Sequence, residues 1–356
     1  MPSLMLPLLL MVVTGPAAPE RPGDEQTSGQ PVRQVVRRSI EFLEKDGAAW
    51  MKKQQCASCH HIPVMVWALS EARDRGYRVD ERLLGEVTSW ALAEDNRAEV
   101  FPDLPLDKKR SEADYLGPLL MALGVGAIKA PDAAVEEGRH RLLAHAVSQQ
   151  GKDGSWHANS GGRPPVHASR DVQTSWLLLA LSGPAEAKDT KDLWKAQREA
   201  AAAWLSRNPA ADSQQALAMR LLVNRRLGKP ADDTKRLLNS LLARQNDDGG
   251  WSQSKTMKSD AFATGLSLYV LSGQKAEGVE EAVRRAQAFL SKTQQSDGSW
   301  PMGSRPAEPP GPGPARDLRP IKYFGTAWAT IGLVRSCPGP GASESRSWRR
   351  LSPSLR

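Results

Sequence analysis

The chain has very little cysteine. Three residues in 356, Cys56, Cys59 and Cys337, are too few for a disulfide-built fold. Aromatic residues make up only 6%, which counts against a cavity lined with rings to stabilise carbocations. No stretch combines β-branched residues with a two-residue period, so nothing competes with a helical reading. Long apolar runs are missing apart from Leu4 to Val13, which is too short to span a bilayer. The net charge of +8 raises nucleic acid as a partner, but its location argues against that. Arg346, Arg349, Arg350 and Arg356 crowd a tail rich in Ser, Pro and Gly. Elsewhere basic and acidic residues interleave, as in EEAVRRAQAFLSK, in the manner of a solvated helix face. No nucleic-acid partner is expected. What is present, 40% hydrophobic and 25% charged residues, is enough to bury one large core or two modest ones.

The one apolar run opens MPSLMLPLLLMVVTGPAAPE. An uncharged start, an apolar stretch, then small residues and proline read as a secretory signal peptide over 1–18. A buried N-terminal helix is the alternative, because no Lys or Arg precedes the run. Export implies a periplasmic or extracellular protein, with peripheral membrane contact left open. A linker at 19–31 and a disordered basic tail at 337–356 complete the flanks.

Internal repetition is the strongest signal. QQGKDGSWHA at 149–158, RQNDDGGWSQ at 244–253 and TQQSDGSWPM at 293–302 read nearly alike. The gap between Trp156 and Trp251 is about twice that between Trp251 and Trp300, so a degenerate copy belongs between them, around Trp204. Extended toward the N-terminus, the period gives six helix pairs over 32–336. The first helices run near 32–54, 80–94, 133–149, 190–206, 231–244 and 278–293, with apolar residues at i, i+3, i+4. The second helices end near Leu69, Leu123, Leu181, Leu222, Leu271 and Leu333. They are more apolar, as TSWLLLALSG shows, and so are suited to packing on both sides. Six amphipathic outer helices around six apolar inner ones predict an all-α fold, an α/α toroid.

The repeat turn has its own chemistry. Its Asp can cap the coming helix or form an Asx turn, its Gly takes a conformation closed to other residues, and its Trp covers the turn. Gln150, Gln245 and Gln295 are placed to bond exposed amides at the start of the next helix. These residues are read as scaffold.

The Q, G, W repeats resemble the QW motifs of the squalene-hopene cyclase and protein prenyltransferase superfamily over roughly residues 32–336. DDGGWSQ…KSDAFATGLSLYVLSG and DGSWPMGSRP…PIKYFGTAWATIGLVRS are similar to secreted, cyclase-like proteins of planctomycete-type bacteria that also carry a CxxCH turn near the start. The resemblance implies a central cavity lined by the inner helices, holding an isoprenoid-like apolar molecule. Cyclases that protonate an alkene use an Asp-x-Asp-Asp-Thr-Ala motif whose middle Asp is the acid. Aligned on the Thr, DVQTSW at 171–176 puts Val172 there, and SDAFATG at 259–265 puts Phe262 there. Asp260 matches only the first, supporting Asp, so the acid is absent. The prenyltransferase zinc set needs a cysteine that the inner helices after Trp156 lack. Asp171 and Asp260 are the candidate catalytic carboxylates at the cavity mouth, with helix capping as their competing role. His157, His167 and Tyr323 share that mouth.

KKQQCASCHHIPVMVWAL at 52–69 holds the other candidate site. Gln54 and Gln55 stand where Gln149 and Gln150 stand, so CASCHH replaces the first DGSW turn and the second helix starts at about Ile62. In CxxCH two thioethers hold a haem edge while the histidine binds iron. Covalent haem c on Cys56 and Cys59, with His60 as the iron ligand, agrees with export. A Cys56–Cys59 disulfide or other redox pair is the alternative, and zinc would need a second ligand pair. Met51 and Met65 are local candidates for a sixth ligand, and His61 cannot reach the opposite face of the same iron. Three functions follow. The first is a cyclase-like toroid binding an isoprenoid, the second a haem-bearing electron-transfer or sensing protein that meets a redox partner protein, and the third a non-catalytic binding toroid.

Overall fold

The spacing of apolar residues separates two kinds of helix in this chain. The structure, a computed structural model, describes residues 29–54, 60–93, 113–126, 133–157, 164–166, 169–183, 193–306 and 318–337. The stretch read as a signal peptide lies outside these residues, as do Cys56, Cys59, His167 and residues 338–356. The outer helices are α1 (Gly29–Gln54), α3 (Glu81–Leu92), α5 (Ala133–Ser148), α7 (Lys195–Arg207), α9 (Ala231–Leu242) and α11 (Val279–Thr293). Each buries one stripe. In α11 it is Val279, Ala282, Ala286 and Leu290, the three-or-four spacing of an amphipathic helix. The inner helices are α2 (Ile62–Asp74), α4 (Ala113–Gly126), α6 (Arg170–Leu181), α8 (Gln214–Arg226), α10 (Ala261–Leu271) and α12 (Arg319–Ser336). They are buried nearly all round; every residue of α12 from Tyr323 to Val334 is in the interior.

Each inner helix packs on the next, and α12 packs on both α10 and α2, so the inner ring closes. Gly265 and Gly332 bring α10 and α12 into backbone contact. A Cβ on Gly332 would lie 2.3 Å from the Gly265 carbonyl oxygen. Among the described residues there is no strand, only a single antiparallel bridge between Trp251 and Asp260. No helix among them is long and apolar enough to cross a membrane. At the ends, α1 starts at Gly29, inside the stretch read as linker, and Cys337 caps the C-terminus of α12 in the interior, so it belongs to the toroid and not to the tail.

The three repeat turns are superposable in their bonds. Trp156, Trp251 and Trp300 each donate the indole N–H to a carbonyl ten residues back on the outer helix, those of Ala146, Leu241 and Leu290. Each also donates its backbone N–H to a threonine on the following inner helix, Thr174, Thr264 or Thr326. Asp153, Asp248 and Asp297 each accept from the amide two residues on, forming Asx turns. At Gly249, φ is +88° and a Cβ would lie 2.6 Å from the Arg285 carbonyl oxygen on the next outer helix. Glycine is thus required twice, by conformation and by proximity.

The turn glutamines differ from expectation in partner and, in one repeat, in identity. Gln150 donates to the carbonyls of Gly154 and Gln197, and Gln245 to those of Gly249 and Ala282. In the third repeat the residue is Gln294, not Gln295, and it donates to Gly298 and Val35. These are carbonyls rather than amides, because the amide group of the side chain faces the turn. Trp204 lies on α7 and not in a turn, so the intermediate repeat keeps its helix pair without the DGSW device. At the opposite rim arginines serve the inner helix C-termini: Arg75 donates to Val334 and Arg335, Arg225 to Val270, satisfying carbonyls that a helix end leaves open.

Candidate functional site

The axis of the ring, expected to be a cavity, is packed with aromatic rings at the level of Trp67. Its ring, from α2, lies 5.5 Å from Trp176 of α6, 5.6 Å from Tyr269 of α10 and 5.2 Å from Trp328 of α12. Phe262 and Phe324 extend the cluster, 5.5 Å apart. Edge-on and tilted arrangements dominate, the preferred geometries for aromatic pairs. Trp67 and Trp328 are fully buried.

At the end where the inner helices begin, loops cross the mouth. Ser304 Oγ donates to the Pro164 carbonyl at 2.6 Å, Gln215 Nε2 to Pro165 at 3.1 Å, and Gln253 Nε2 to Gly303 at 2.9 Å. Beneath them Phe262 and Val172, which stand in place of the cyclase acid, are buried in the core. Asp260 is the N-cap of α10. Its Oδ1 accepts from the Ala263 N–H at 2.9 Å and its Oδ2 from Gln253 at 3.0 Å. Burial pushes its carboxyl up to about 6, against the opposing pull of those hydrogen bonds. Asp171, in the first turn of α6, accepts from Ser169 and from the Ala211 N–H, with Arg220 3.9 Å away. The two carboxylates therefore hold different helix starts and a neighbouring loop. His157 is exposed. Tyr323 is not at the mouth but fully buried, donating to the Leu43 carbonyl at 3.0 Å.

At the CASCHH turn the structure describes the two histidines, both buried directly before α2. The His61 ring is stacked between Trp50, at 4.0 Å and 9°, and Tyr323, at 4.0 Å and 24°. Its Nε2 lies 3.4 Å from the Asp46 carboxylate. Burial holds its pKa below the usual histidine value, and Asp46 offsets part of that. His60 meets Trp50 and His61 edge-on, both at 4.8 Å. In the register that aligns Gln55 with Gln150, His61 replaces Trp156 and like it is buried. Met65 is core: a Cβ on Gly47 would lie 2.4 Å from its sulfur and 2.5 Å from the Tyr323 hydroxyl. Trp50, Asp46 and Gly47 were not singled out by sequence reasoning. Their signal was a four-residue spacing of Asp46 and Trp50 on the helix that leads into the turn. Among the described residues no group of three His, Cys, Asp or Glu is arranged to hold a metal ion.

No family model and no curated protein matches the chain. Solved structures do. The apo form of the type II terpene cyclase MstE from Scytonema matches with a TM-score of 0.56 at 14% identity, over 86% of this chain and 98% of that one. The ent-copalyl diphosphate synthase from Streptomyces platensis gives 0.51 at 18% identity, over 77% of this chain and 50% of that one. The unsaturated glucuronyl hydrolase from Bacillus sp. GL1 gives 0.54 at 14% identity, over 85% and 96%. These proteins perform unrelated chemistry on one architecture, so the likeness does not select a reaction. What it establishes is the fold: the chain is an α/α toroid of the kind that terpene cyclases and glucuronyl hydrolases share.

Proposed function

We propose that the chain is an exported protein whose toroid is a scaffold and whose chemistry sits on the CASCHH turn, as a haem c carrier in electron transfer or sensing. The observation that carries this reading is the aromatic packing of the ring axis around Trp67, where the resemblance implied a cavity. The CxxCH spacing would make His60 the iron ligand beside the Cys56 and Cys59 thioethers, with His61 stacked between Trp50 and Tyr323 and Met65 in the core. Bound haem would supply one-electron transfer. The stacked pair of Trp50 and His61 meets the His60 ring edge-on. Production with a cytochrome c maturation system should give a Soret band and covalent haem by intact mass. Free thiols, or a Cys56–Cys59 disulfide in protein from the exported compartment, would remove the proposal.

A second reading, binding of an isoprenoid-like apolar molecule, is favoured by the likeness to a structure described as a terpene cyclase in complex with geranylgeranyl dihydroxybenzoate. It predicts saturable binding of such a molecule, and a cyclic product that disappears in Asp171→Asn or Asp260→Asn. Absence of both leaves the scaffold reading.

A further inference from the structure

Outside the ring, a groove of about 860 Å³ runs between α1 and the turn joining α2 to α3. Its walls carry four carboxylates, Glu41, Glu44, Asp80 and Glu81, against two guanidinium groups, Arg37 and Arg78. Carboxylates outnumber guanidinium groups in the lining itself, and Arg33 and Arg75 act on the Tyr77 end of it. The Glu44 carboxyl is held above its ordinary value by burial and by the neighbouring Asp80 and Glu41, although Arg78 and a hydrogen bond from the Asp80 amide pull the other way. Tyr77 forms part of the wall, and its buried hydroxyl has no hydrogen-bond partner. Cys337, the last described residue, interacts electrostatically with Tyr77 and Arg33. Arg75, next to Gly76 and Tyr77 of the wall, donates to the Val334 and Arg335 carbonyls, so the end of α12 lies close to this groove.

The sequence that follows is PGPGASESRSWRRLSPSLR. Its first six residues are Pro, Gly, Ala and Ser, linker chemistry, and after them come Arg346, Arg349, Arg350 and Arg356 with Trp348 among them. We propose that the groove is a docking site for the chain's own basic segment, Ser345–Arg356, with its arginines against the Glu41, Glu44, Asp80 and Glu81 walls and Trp348 as the anchor. Reach is sufficient. By composition alone, a coil of the nine residues from Cys337 to Arg346 would have an r.m.s. span of about 16 Å, and the α1 wall from Arg37 to Glu44 is about 10 Å long. A short tether sets an effective concentration on the order of 1 mM. Even a segment with an intrinsic dissociation constant of about 100 μM would then be docked about nine-tenths of the time. Arginine and tryptophan are the side chains that most often anchor such contacts, and guanidinium matches carboxylate bidentately.

The test uses the full chain. Trypsin should cut after Arg346, Arg349 and Arg350 at least tenfold more slowly in the intact protein than in the free peptide Ser345–Arg356. Glu41→Lys with Glu81→Lys, both on exposed positions, should restore the free rate, and so should raising salt to about 0.5 M, where charges are screened beyond about 4 Å. As a second measurement, replacing Arg346, Arg349 and Arg350 by serine, which leaves the toroid untouched, should speed amide exchange over residues 37–44 and 76–81. Protection that is constant on hundredfold dilution supports docking within one chain. Cleavage at the free-peptide rate, or protection that survives the charge reversals, overturns it. Protection lost on dilution assigns the segment to a second copy and overturns the intrachain site.

Discussion

Gln294 donates its side-chain N–H to the Val35 carbonyl at 2.9 Å, and Arg38 donates back to the Gln294 oxygen at 2.9 Å. These bonds join the last repeat turn to the first helix and form the seam of the ring. Gln294→Ala should leave the Val35 and Gly298 carbonyls without this donor and lower unfolding free energy by about 1–3 kcal/mol. Gln295→Ala, one residue away and outside the seam, should cost less than about 1 kcal/mol. Denaturant titration of the two variants decides which glutamine carries the repeat.

Asp260 makes stability depend on pH in an unusual direction. Its folded pKa of about 6 lies above the ordinary carboxylate value, so between those values the folded state binds more protons than the unfolded one. Stability is therefore highest below about pH 4 as far as this group is concerned, and falls as pH rises toward 6. The full loss is on the order of 3 kcal/mol. Asp260→Asn, which can still cap α10, should flatten that window in thermal melts taken from pH 4 to 7. An unchanged slope would show that Asp260 is not its source.

Trp67 fills the axis from one side of the ring. Trp67→Ala should cost about 3–5 kcal/mol and leave a dry apolar void lined by Trp176, Tyr269 and Trp328. Such voids take up small apolar molecules. The variant, and not the parent, should be stabilised by benzene or xenon in a melting assay.

At the CASCHH turn, Cys56→Ala with Cys59→Ala should abolish covalent haem staining while far-UV circular dichroism stays helical, and His60→Ala should keep the thioethers but change the iron's spin state. His61→Ala would do little to a spectrum on sequence grounds alone. The structure adds a cost: the ring is stacked between Trp50 and Tyr323, so its removal should destabilise the chain by about 2–4 kcal/mol.

The toroid was legible because its signals are local and repeated. The outer helices show the stripe that α11 buries, and α2 begins at Ile62, where the register placed it. The identity of the third glutamine was also available: Gln150, Gln245 and Gln294 each precede their tryptophan by the same spacing, and that constancy separates Gln294 from its neighbour. What the sequence could not convey depends on contacts between distant segments. Trp67 is one apolar residue among many on α2, and only ring closure brings it against α6, α10 and α12. Asp260 as a cap is visible in its position before an apolar run, but its displaced titration comes from burial, which depends on how the ring closes over it and not on its own neighbours in sequence.

Open stacks of helix pairs fray from their ends, and each terminal unit can melt while its neighbours persist. A ring sewn between Gln294 and Val35, with one indole touching three helices across its hub, has no terminal unit. Loss of any repeat strips contacts from the neighbours on both of its sides and opens the ring. Melting should thus be a single all-or-none event with no fraying intermediates, and deletion of one helix pair should unfold the whole chain instead of shortening it.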